Sequence, residues 1–221
     1  MQATKVRIAR AAAAAGRDPA AVMLLAVSKT HPAALVEQAH AAGQRAFGEN
    51  YVQEAVQKMD LLAGKALAWH LVGPLQSNKT RTAAARFDWV HSVESERIAR
   101  RLSEQRAAGV SALNVLVQVN VSDEVSKSGV APDEVFLLAK KIIALPRLKL
   151  RGLMAVPEAG ADVARYRELK SLYERLKGEF GFDTLSVGMS DDMEAAIAEG
   201  STMVRVGTAI FGARKKIRPA A

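Results

Sequence analysis

The chain contains no cysteine. Disulfides, thiolate nucleophiles and cysteine-based metal sites are thereby excluded, and so is an extracellular fold stapled by disulfides. A reducing cytoplasm is the compartment that such a chain suits. No run of about 18 uninterrupted apolar residues occurs, so no segment reads as a membrane-spanning helix. Aromatic residues are scarce at 5%, and none interleaves with the basic clusters to form a stacking platform for nucleic acid. A GxGxxG turn, a P-loop, an HExxH helix and histidines at zinc spacing are also missing, which removes the commonest nucleotide and metal signatures.

The residues that are present describe an ordinary globular chain. Its 221 residues suit a single domain, and 49% apolar against 24% charged residues is enough to build a core. A net charge of +8 raises the question of an acidic or nucleic-acid partner. The basic residues are dispersed, however, at Arg81, Arg86, Arg97, Arg100, Arg101, Lys140, Lys141, Lys149, Arg214, Lys215 and Lys216. They read as solvated helix faces. The N-terminal stretch MQATKVRIARAAAAAGRDP has the composition of a mitochondrial-type presequence. Val6, Ile8 and the alanines read more simply as an amphipathic first helix stopped by Gly16.

Short β-rich apolar runs alternate with longer helical patterns. The runs cover residues 23–28, 45–48, 68–73, 89–93, 114–121, 149–156, 184–189 and 203–211. Between them helices are expected over 32–42, 51–62, 95–108, 133–144, 166–179 and 191–198. Eight such repeats without a low-complexity linker predict one (β/α)8 TIM-type barrel over residues 1–221. An open doubly wound sheet competes, but it normally carries a glycine-rich phosphate loop after its first strand, and here that strand ends AVSKTHP.

In a barrel the chemistry sits at the C-terminal ends of the strands. Lys29 directly follows the apolar run LLAVS, so its stem leaves the core at the barrel mouth. Partial desolvation there disfavours the ammonium and exposes an amine nucleophile, as a Schiff base with an aldehyde requires. A lysine snorkelling to water occupies the same position, and position alone favours that plainer reading. The turns VGMSDDMEAA and RVGTAIFG offer a phosphate cradle. Ser190 reads as the N-cap of the following helix, whose first amides would join N–H groups near Gly207 and Thr208. Ordinary capping explains these turns equally well, and Asp191 and Asp192 oppose an anion unless their side chains point away. Arg205, between Val204 and Val206, must meet a polar ligand atom or a carboxylate such as Glu49, because an unpaired buried arginine is costly. His70 is a lone strand histidine, more often a satisfied core residue than a catalyst.

Taken together, LLAVSKTHP, FGENYVQEA, WHLVGPLQSNK, QVNVSDEVSKSG, RGLMAVP and VGMSDDMEAAIAEGSTMVRVGTAIFGAR resemble the pyridoxal phosphate homeostasis proteins. These are similar to the barrel domain of alanine racemase, of the fold-type III class, and the likeness spans residues 16–214. The resemblance implies pyridoxal 5′-phosphate (PLP) held on Lys29, phosphate contacts from Ser190, Gly207 and Thr208, and Arg205 facing the pyridine nitrogen. It places Asn50 and His70 near the ring, directly or one group removed, and matches Lys127 to a lysine that assists PLP traffic. The departures are His31, where a lysine is common, and a first helix that begins later than usual.

An arginine at the ring nitrogen disfavours its protonation and so weakens the ring as an electron sink. A racemase also needs a second base, which in the related enzymes is a tyrosine from another domain. Here the barrel accounts for the whole chain, and Tyr51, Tyr166 and Tyr173 all fall in helical patterns. These features predict a monomeric carrier that sequesters PLP and delivers it to apo-enzymes, rather than a catalyst. A weak PLP-dependent racemase or lyase is the alternative, and a Schiff-base aldolase without PLP a third.

Overall fold

The computed structural model describes residues 1–122, 128–158, 160 and 162–213. The Lys127 expectation therefore lies outside the described residues. Helix α1 (Gln2–Ala14) precedes the first strand and presents Ile8 and Ala12 to the core, one turn apart on a single face. Strands and helices then alternate: β1 (Met23–Val27), α2 (Ala33–Ala41), β2 (Ala46–Glu49), α3 (Val52–Leu61), β3 (Ala68–Leu71), α4 (Thr80–Arg86) and β4 (Trp89–Val93). The second half continues with α5 (Glu96–Gln105), β5 (Leu113–Gln118), α6 (Val135–Ile143), β6 (Leu148–Met154) and α7 (Val163–Phe180). It ends with β7 (Thr184–Ser186), α8 (Met193–Ala198), β8 (Met203–Val206) and α9 (Thr208–Phe211).

The eight strands pair in sequence order, all parallel, and β8 returns to β1 to close the barrel. This is the (β/α)8 architecture expected. Alternation along each strand splits its side chains between two environments. In β1, Ala26 packs outward with the helices, whereas Leu25 joins Ala46 and Met203 in a separate inner cluster. Helix α5 shows the complementary rule, burying Ile98, Ala99, Leu102 and Ser103 at helical spacing behind an Ser95 cap. Among the described residues no helix is long and apolar enough to cross a membrane.

Helix α4 fills the connection between β3 and β4, for which the sequence pattern marked no range although a helix or helical tail was expected after every strand, and its Ala83 and Ala84 are fully buried. The last strand stops at Val206 instead of running to Phe211, and the apolar run TAIF forms α9. Phe211 lies against the His31 ring, with centroids 5.4 Å apart, so its apolarity serves the mouth of the barrel and not a strand.

Close approach of β6 and β7 explains one glycine. Gly152 sits at φ 149, and a Cβ there would lie 1.9 Å from the Thr184 carbonyl oxygen. Gly152→Ala is expected to destabilise the barrel by roughly 2–4 kcal/mol through strain and overpacking. Thermal unfolding measures this directly, and an unchanged midpoint would contradict the packing described.

Candidate functional site

At the C-terminal rim of the barrel lies a cavity of about 290 Å³. The strand-end residues Lys29, Asn50, Ser190, Arg205, Gly207 and Thr208 all line it, together with Val27, His31, Val72, Val156, Met189 and Asp191. Residues scattered from one end of the sequence to the other meet here because parallel strands closed into a barrel end on a common rim. Among the described residues no group of histidines and carboxylates is arranged to hold a metal ion.

Arg205 forms the floor. The residue is only 5% exposed, and its guanidinium donates from Nη1 to the Ser186 carbonyl at 2.7 Å and Ser186 Oγ at 2.9 Å. Nη2 donates to the Ala155 carbonyl at 2.8 Å. The carboxylate partner considered from sequence, Glu49, is engaged elsewhere. Burial pushes the Arg205 pKa down to about 10, partly opposed by Asp192 and Tyr166, so the group is a cation at neutral pH.

The anion end is built by α8 and α9. Helix α9 starts at Thr208 with Gly207 as its N-cap, and the first N–H groups of a helix have no intrahelical partner. Ser190, in contrast, is not the N-cap of α8: that place belongs to Asp192. The Asp192 carboxylate accepts from the Met189 N–H and, at 2.6 Å, from the Tyr166 hydroxyl. It is thus turned into the protein and shapes the Gly188–Ser190 turn, leaving Asp191 as the carboxylate residue on the cavity wall. Arg7 of α1 fastens the same turn, donating to the Ser190 carbonyl at 3.1 Å and to Glu194 at 2.8 and 3.0 Å. Tyr166 is helical as the sequence pattern indicated, yet its hydroxyl reaches Asp192 next to the cavity residue Asp191, a contact that no local pattern announces.

His70 does not line the cavity. It is fully buried below it, stacked on Trp89 at 5.1 Å, with Nδ1 2.9 Å from His91 Nε2. His91 Nδ1 lies 3.4 Å from Ser186 Oγ, so His70 stands two side chains removed from Arg205. Because Ser186 Oγ accepts from Arg205, its proton is available to His91, which then donates from Nε2 to His70. His70 Nε2 has no partner among the described residues.

The Lys29 turn has its own buried support, which sequence reasoning missed. Glu49 Oε1 accepts from Ser28 Oγ at 2.6 Å and from Lys58 Nζ at 2.6 Å. Lys58 also donates to Glu54 Oε1 at 2.7 Å, and Glu54 Oε1 accepts from the Thr30 N–H at 2.5 Å. The i,i+4 spacing of Glu54 and Lys58 was the available signal, because it sets both on one helix face. Desolvation pushes the Glu49 pKa up, against the pull of Lys58 and Ser28.

Burial pushes the His70 pKa from 6.5 down to about 3. The folded chain therefore keeps His70 neutral while the unfolded chain takes up a proton below pH 6.5. Stability is complete above that value and falls as pH drops toward 3, by about 1.4 kcal/mol per pH unit from this group. His70→Gln should flatten the acid limb of a stability–pH curve by that slope; an unaltered limb would show that His70 does not titrate as described.

Comparison with known proteins agrees with this geometry. Residues 1–215 match the family model described as alanine racemase, N-terminal domain. A pyridoxal phosphate homeostasis protein of Pseudomonas aeruginosa is 60% identical over 216 residues, covering 97% of this chain and 94% of that protein. One of Escherichia coli K12 is 53% identical, covering 94% and 92%. The structure of PipY from Synechococcus elongatus with PLP bound superposes with a TM-score of 0.81 at 38% identity, covering 93% of this chain and 100% of that one. The chain belongs to the pyridoxal phosphate homeostasis protein family, a branch of the alanine racemase N-terminal barrel.

Proposed function

We propose that this chain holds PLP reversibly as a Schiff base on Lys29 and serves intracellular PLP homeostasis, sequestering the cofactor and delivering it to apo-enzymes. The observation that carries the reading is the convergence on one cavity of a strand-end lysine, a buried arginine floor and the N-terminus of α9.

The donor set fits the cofactor. Ser190, Gly207 and Thr208 would hold the phosphate together with the first α9 amides. Glycine at 207 suits the close approach of this turn to the end of β1, because a Cβ there would press to 3.1 Å on the Val27 carbonyl oxygen. Asn50 and Arg205 line the same cavity, where Arg205 would meet the pyridine nitrogen. When bound, PLP supplies an aldehyde carbon for the amine and a ring able to accept electrons. Lys29 would supply the amine for that carbon, losing water as the imine forms and taking it up again when the cofactor is released. Arg205 would donate to the nitrogen and keep it unprotonated, because a second positive charge beside a buried cation is unfavourable. That choice suits storage over carbanion chemistry. The volume of about 290 Å³ lies at the small end of ligand sites, which also suits one cofactor without a bulky substrate.

The PLP-bound PipY relative supports the cofactor assignment, and the names of the curated relatives support the homeostatic role. A single barrel acting as a cytoplasmic monomer, in passing contact with apo-enzymes, completes the proposal.

The expected result is a yellow protein whose visible band is lost on borohydride treatment, with the label on Lys29, and a Lys29→Ala variant that lacks the band. A Lys29→Ala protein that still forms an equally strong imine would overturn the assignment. Rapid turnover of single amino acids by the wild type would replace the carrier role with an enzymatic one.

A further inference from the structure

We infer that Glu54 and Lys58 of α3, acting with Glu49, are positioning residues that grip the Ser28–Thr30 turn on both sides of Lys29 and set the direction of its amine. The inference rests on the reading of Lys29 as the Schiff-base residue.

The cluster bonds to the residues on either side of Lys29. Lys58 Nζ donates to the Ser28 carbonyl at 2.7 Å, and Glu49 holds the Ser28 hydroxyl at 2.6 Å. On the other side Glu54 holds the Thr30 N–H at 2.5 Å. Thr30 lies at φ 66, a left-handed conformation that a β-branched residue rarely takes. Strain of this kind persists only where the surroundings over-determine it, and here the acceptor that does so is Glu54. The strain sits one residue from the amine whose direction it decides.

Stability alone is a poor reason for the cluster. Its side chains are nearly all out of solvent, at 6% for Lys58, 0% for Glu49 and 25% for Glu54. Replacing such buried ions by apolar groups is often neutral or stabilising, so they are better accounted for by geometry than by energy. The arrangement also separates the roles of two lysines. Lys58 has its three N–H donors committed to Ser28, Glu49 and Glu54, which keeps it a structural cation and not a nucleophile. Lys29 instead lines the cavity.

The test compares Glu54→Ala, Glu54→Asp and Glu54→Gln with the wild type. PLP is added and the rate of growth of the visible imine band is followed, with borohydride trapping as a check. The affinity for pyridoxine 5′-phosphate, which carries the phosphate but no aldehyde, is measured in parallel with the melting temperature. Glu54→Ala is expected to slow imine formation about tenfold while leaving pyridoxine 5′-phosphate affinity unchanged. Glu54→Gln, whose amide oxygen still accepts the Thr30 N–H, should restore the wild-type rate. Should Glu54→Ala fold poorly, Glu54→Asp decides, because it keeps the charge beside Lys58 but withdraws the oxygen from Thr30 by one methylene. Its rate must also fall. A wild-type rate in Glu54→Asp, or pyridoxine 5′-phosphate affinity falling in step with imine formation, overturns the positioning role. Absence of a trapped adduct on Lys29 in the wild type would instead remove the underlying reading, whatever Glu54 does.

Discussion

The parallel pairing of β8 with β1, Leu25 beside Arg205 and Ala26 beside Val206, closes the sheet on itself. Closure removes both sheet edges and forces every strand to end on one rim, so loops far apart in the chain become neighbours. It is this pairing that sets Lys29, just past β1, across from Gly207 and Thr208, just past β8. Without it the amine would lie on a surface separate from the arginine and the anion end, which share β8.

A barrel interior that carries charge must satisfy it internally. Arg205 does so with two backbone carbonyls and a serine hydroxyl, and among the described residues it forms no ion pair with a carboxylate. Its hydrogen bonds offset desolvation, yet its positive charge is left largely uncancelled at the cavity floor. An uncompensated cation there favours an electron-rich ligand atom and opposes a protonated one. Below it, neutral His91 and His70 extend the polar chain without adding charge, both held neutral chiefly by burial.

The two ends of the cavity are stiffened in different ways. At the anion end, Asp192 is consumed by Met189 and Tyr166, and Arg7 ties Ser190 to the first helix. At the amine end, a buried ion cluster braces a strained turn. Rigid support of this kind is what allows short side chains to present a fixed geometry to a small ligand.

Much of this was legible in the chain itself. Hydrophobic periodicity set the order of strands and helices, and the polar residues read at strand ends marked Lys29, Asn50 and Thr208 as rim positions. Local signals failed where apolarity had two explanations, as in TAIF, which packs as α9 against His31 instead of extending β8. They failed again at Ser190, where a neighbouring aspartate took the cap. What the sequence by itself determined is the barrel and the strand-end residues, because period and position are properties of neighbours in the chain. Only the tertiary structure decided which partners those residues take: Glu49 with Lys58 and not Arg205, Asp192 with Tyr166, His70 beneath the floor and not on it. Such pairings join side chains from different elements, nine to 26 residues apart in the chain, and hydrophobic periodicity does not say which side chains of packed elements meet.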